Sequence, residues 1–122
     1  MPQDLKLFIA GEWTEGTGDD HYEVKSPATG EHIYNVPKAS QADIDRAVAA
    51  AREATDEMRH WTAFERADLC LRIYDLWQDR IEDVARILTL EQGKPYAQES
   101  LDDIAESADY FQIAAEDVKR LG

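Results

Sequence analysis

At 122 residues the chain has room for one domain, or one piece of a larger one, and little for a second core. Its 26 acidic residues outnumber 13 basic ones for a net charge of -13, which would repel a phosphate backbone and argues against nucleic acid as a partner. No stretch approaches the roughly 18 apolar residues of a membrane helix, residues 1–6 lack the basic start and apolar run of a secretory signal, and the single Cys70 cannot form an internal disulfide, so a soluble, cytoplasmic chain held by packing is expected.

In chain order, Leu5, Leu7 and Ile9 alternate with Lys6 and Phe8, and Ala10-Gly11-Glu12-Trp13 reads as a tight turn into a second short strand. A hairpin is expected there. Glu15 to Asp20 reads as a loop, Tyr22 and Val24 resume the alternation, and Ser26-Pro27-Ala28-Thr29-Gly30-Glu31 turns the chain again. Ile33, Tyr34 and Val36 then form another strand, ended by Pro37.

At Ser40 the period changes. Ser40 with Asp43 resembles a capping box, and Ile44, Ala47, Val48, Ala51 and Ala54 repeat at helical spacing, which predicts a helix over 41–58. Thr62 with Glu65 is a second capping box. It opens a helix lined by Leu69, Ile73, Leu76 and Trp77 and continued by Ile81, Val84, Ala85 and Leu88 up to Gly93, with a break expected between Asp79 and Glu82 where the stripe changes phase. A last helix is predicted over roughly 96–121, with Leu101, Ile104, Ala108, Phe111, Ala115, Val118 and Leu121 spaced by threes and fours; such a stripe should be buried against something. The fold class is therefore α/β: an N-terminal β-hairpin and short strands followed by three to four helices, one domain over 1–122, strand-rich over 1–37 and helical over 40–122.

Little in these residues promises chemistry. A cysteine nucleophile needs a neighbouring base or a helix N-terminus; Cys70 lies mid-helix between Leu69 and Leu71 and reads as a buried structural thiol. His21, His32 and His60 show no metal-ligand spacing and read as surface residues. Asp19-Asp20 and Asp102-Asp103 read as solvated surface, since acid–base work needs a carboxyl tuned by burial. Gly16-Thr17-Gly18 opens no helix and precedes two aspartates, so it is neither a dinucleotide fingerprint nor a P-loop. Arginine outnumbers lysine and the acids are scattered along the chain, a pattern that fits a salt-adapted protein.

A run of phrases in fixed order resembles the start of the aldehyde dehydrogenases. Leu7-Phe8-Ile9-Ala10-Gly11-Glu12-Trp13 is similar to that family's opening hairpin, Ser26-Pro27-Ala28-Thr29-Gly30-Glu31 to its Asn-Pro-Ala-Thr-Gly-Glu turn with serine for asparagine, and Ala42 to Ala51 to its first helix. Trp61, Glu65-Arg66-Ala67 and Leu71 follow in order, and Thr89-Leu90-Glu91-Gln92-Gly93-Lys94-Pro95 is the most specific match, closest in wording to succinate-semialdehyde dehydrogenase-like members.

The resemblance implies the N-terminal portion of an NAD(P)-dependent enzyme that oxidises an aldehyde to a carboxylate, an incomplete part of its NAD(P)-binding domain, and a homo-oligomer when complete. In that family the cofactor glycines, the nucleophilic cysteine and the general-base glutamate lie further along the chain. No catalytic or cofactor-binding residue is therefore assigned here, Cys70 is not the nucleophile, and neither NAD nor NADP is expected to bind this chain alone. Some members hold a monovalent cation through an acid before Gly-Lys-Pro and a carbonyl before the Asn-Pro turn. These correspond to Glu91 and Lys25, although an ion-free helix-end glutamate is the reading preferred for this chain, because the other ligands would come from sequence it lacks. A free-standing helical module of the same ancestry, pairing through the stripe from Leu101 to Leu121, is the alternative.

Overall fold

A computed structural model describes residues 5–120; Leu121 of the last stripe and residues 1–4 of the segment read for a secretory signal lie outside them. The chain divides into two compact units, Met1–His60 and Trp61–Gly122.

In the first unit, β1 (Leu7–Ile9) and β2 (Glu12–Thr14) pair antiparallel with Ile9 opposite Glu12, leaving Ala10-Gly11 as a two-residue turn. Both turn residues are left-handed, at φ 53° and 84°, the geometry of a type I′ hairpin. Glycine adopts it freely; Ala10 does so at a cost on the order of 1 kcal/mol. The hairpin of β3 (His21–Lys25) and β4 (His32–Pro37) is closed by Ser26 N–H donating to Glu31 O at 2.9 Å and Gly30 N–H to Ser26 O at 2.7 Å. Leu5 N–H donates to Asn35 O at 3.0 Å, which ties the approach to β1 onto β4. Helix α1 spans Gln41–Met58 as the spacing predicts. Its apolar stripe, however, stays open: Ile44 and Val48 are 47% and 48% exposed, and Ala51 and Ala54 are exposed.

The second unit is helical. Thr62 and Glu65 form their capping box, with Thr62 N–H donating to Glu65 Oε2 at 2.7 Å and Glu65 N–H to Thr62 Oγ1 at 3.2 Å, and α2 runs Ala63–Gln78. The expected break falls at Asp79 and Arg80, where Arg80 (φ -122°, ψ 5°) leaves helical geometry before α3, Ile81–Gln92. Gly93 closes α3 at φ 72°, its N–H donating to Thr89 O at 2.9 Å.

The last helix differs from expectation. Residues Tyr96–Ser100 form a π-helical turn, and α4 proper is Leu101–Val118. The cause lies in Pro95 and Ser100. The Pro95 carbonyl accepts from both Glu99 N and Ser100 N at 3.1 Å, so one extra residue is looped out. The fully buried Ser100 hydroxyl accepts a hydrogen bond from Thr89 Oγ1 at 2.9 Å, which pins the turn to α3.

Helix α4 packs on α2 and α3. The buried apolar residues are Ala67, Ala85, Ile104, Ala108 and Ala115, mostly small side chains that let helix backbones approach closely. Trp77 crosses this seam: its indole N–H donates to Ile104 O at 3.0 Å, and its ring lies 6.0 Å from that of Phe111. Of the described part of the Leu101–Leu121 stripe, Ile104, Ala108 and Ala115 are buried inside their own unit, and Leu101, Phe111 and Val118 are half-buried. Among the described residues, no helix is long and apolar enough to cross a membrane.

Candidate functional site

The most connected polar group of the first unit is Asp43, at the third position of α1. Its side chain is wholly buried. One carboxylate oxygen, Oδ2, accepts from Thr17 N–H, Ser40 N–H and Ser40 Oγ–H, each at 2.9 Å, and Oδ1 accepts from Arg46 Nη2 at 2.8 Å. Because the Ser40 hydroxyl proton is committed to Asp43, Thr17 Oγ1 donates to Ser40 Oγ across 2.6 Å. These bonds, led by the Thr17 amide, hold the carboxyl well below the ordinary carboxylate range despite burial. The capping box was legible in the sequence. The tie to Thr17, 26 residues away, carries no local signal.

That tie disposes of the glycine-bearing loop as an anion site. The Thr17 amide is spent on an internal carboxylate, and the α1 N-terminus is already capped by Ser40 and by a negative charge. At α2 the cap is likewise occupied by Glu65, whose carboxyl is lowered chiefly by the Thr62 amide. Neither of these two occupied helix N-termini fits a dinucleotide pyrophosphate.

The other candidates are dispersed. Cys70 is a free thiol, only half-buried rather than enclosed as the sequence suggests, because a helix in a three-helix unit presents its flanks to solvent. His21, His32 and His60 are exposed; the His32 ring sits 3.1 Å from Asn35 Oδ1, and His60 Nδ1 lies 2.8 Å from Asp56 O. Asp20 pairs with Lys38 at 3.5 Å, and Asp103 pairs with Lys94, whose pKa it raises. Both aspartate pairs are surface residues.

Lys25 ends β3 in the first unit, at the irregularity where the ladder loses register, and its ammonium pairs with Glu23 at 2.8 Å. Glu91 is half-buried in the final turn of α3 in the second unit. Each donor is positioned within its own unit. Among the described residues there is no group of three or more His, Cys, Asp or Glu side chains able to hold a metal ion. An open groove of about 680 Å³ runs along α2, lined by Trp61, Glu65, Asp68, Leu71, Arg72 and Asp75. Its side chains include no cysteine, serine or histidine.

Residues 13–122 match the sequence model of the Aldehyde dehydrogenase family. The chain is 39% identical to glutarate-semialdehyde dehydrogenase of Pseudomonas aeruginosa, covering 98% of this chain and 26% of that protein. It is also 39% identical to 3-sulfolactaldehyde dehydrogenase of Pseudomonas putida, over 95% and 24%. Among solved structures, succinate-semialdehyde dehydrogenase from Burkholderia pseudomallei superposes with a TM-score of 0.91 at 42% identity, over 97% of this chain and 24% of that one. The chain spans about a quarter of the length of the relatives it matches.

Proposed function

The chain belongs to the aldehyde dehydrogenase family, and we propose that it serves as the N-terminal scaffold of an NAD(P)-dependent aldehyde dehydrogenase and is inactive as these 122 residues alone. The observation that carries this reading is the family match over residues 13–122, in a chain whose capping carboxylates, Asp43 and Glu65, are committed to backbone amides. Chemistry in the family needs a cysteine thiolate to attack the aldehyde, a dinucleotide to take up hydride, and a base to activate water for hydrolysis of the acyl-enzyme. Cys70 has no activating partner among the described contacts, and the glycine-bearing loop is closed to an anion.

A semialdehyde substrate for the complete enzyme is supported by the relatives, which include glutarate-, malonate- and succinate-semialdehyde dehydrogenases. The assay is direct. Succinate semialdehyde with NAD or NADP should show a blank rate of absorbance change at 340 nm with the 122-residue chain, and turnover with a longer protein that carries this segment. Turnover by the short chain would overturn the reading.

We further assign the Lys25 carbonyl and the Glu91 carboxylate as the family-type cation donors of the complete enzyme, a homo-oligomer, and take the acidic surface as salt-adapted and cytoplasmic. The interrupted ladder at Lys25 and the half-buried carboxylate at a helix end support the first assignment. One set of melts in rising KCl tests both ideas. Salt adaptation requires the midpoint to climb towards molar KCl, and the cation site requires Glu91→Gln to lose the rise at low concentration; a flat profile, or an unchanged variant, rejects the corresponding idea.

A further inference from the structure

The two units are held by different forces. Among the described residues the buried aliphatic ones, Ala67, Ala85, Ile104, Ala108 and Ala115, all belong to the helical unit. In the first unit the buried residues among those described are Ser26, Pro37 and Asp43. None of its described large apolar side chains is fully buried: Phe8, Trp13 and Tyr22 are between 59% and 68% exposed, and Leu7, Ile9, Val24, Ile33, Tyr34 and Val36 are half-buried. Two-stranded ladders are marginal in water without a packed face. An 18-residue helix with no buried apolar residue gains little beyond its propensity. The loop between β2 and β3 is held by polar contacts: Asp43 ties Thr17 to the start of α1, and Lys38 N–H donating to Asp20 O at 2.9 Å holds the loop's far end.

We propose that residues 5–60 open as a separate conformational unit while the helices of residues 61–120 stay folded, and that the buried Asp43 carboxylate is the latch that keeps the N-terminal unit closed. The proposal does not depend on the assigned activity. Hydrogen–deuterium exchange by mass spectrometry on the whole chain tests it. Amides of β3, β4 and α1 should exchange at least about tenfold faster than those of α2 and α4 in the unmodified protein. Asp43→Asn, which keeps the size but loses the charge and sets an N–H where acceptors are needed, should speed exchange in residues 15–58 about tenfold more and leave residues 63–118 unchanged. Should Asp43→Asn prove poorly soluble, the unmodified chain alone decides: equal protection in both units overturns the separate opening. A rise that spreads equally through α2 and α4 in the variant overturns the latch.

Discussion

Ala108→Leu is expected to destabilise the helical unit by about 1–3 kcal/mol, lowering its thermal midpoint by on the order of 10 °C. Ala108 is wholly inaccessible on the face of α4 that also buries Ile104 and Ala115, and the buried apolar residues of α2 and α3, the helices it packs on, are the alanines Ala67 and Ala85. A seam built from methyl groups has no room for an isobutyl side chain unless the helices separate. Separation would forfeit the dispersion contacts along the whole seam. Circular dichroism at 222 nm measures it, with Ala114→Leu on an exposed position of the same helix as the control. Equal midpoints for the two variants would mean that the seam is loose and that alanine is not required there.

Trp77→Ala should cost about 3 kcal/mol, at the lower end for a tryptophan because the side chain is half-buried. Two interactions end together: the ring contact with Phe111 and the indole hydrogen bond to Ile104 O. Trp77→Phe separates them. It keeps a ring against Phe111 and removes the donor, so a loss of about 1 kcal/mol is expected from the hydrogen bond alone. Urea denaturation reads both values. A phenylalanine variant as stable as the parent would show that the bond contributes nothing, and an alanine variant within about 0.5 kcal/mol of the parent would remove Trp77 from the seam altogether.

These two changes act on the unit that has a core. The N-terminal unit has no comparable set of buried apolar side chains, and the exposed stripe of Ile44 and Val48 on α1 is the surface of a helix whose sequence calls for a partner. In the helical unit, Ile87, Leu90, Tyr110 and Ile113 are likewise between 47% and 60% exposed.

Local order was legible in the residues because its causes are local. Ser40 and Thr62 announce helix starts through side chains that reach amides three residues away, Gly93 marks a helix end by tolerating φ 72°, and Gly11 accepts the turn that Ala10 enters under strain. The family was legible too, in phrases that are turns and caps. Three things were not. The π-helical turn depends on the Pro95 carbonyl accepting two amides at once and on Thr89 reaching Ser100 from another helix. The role of Asp43 depends on Thr17, which only the folded loop brings to it. Burial is the third: the stripes on α1 and α4 look alike in sequence, yet the first has no buried residue and the second buries Ile104, Ala108 and Ala115, because a periodic pattern specifies which face is apolar while only the packing of distant segments decides whether that face is covered.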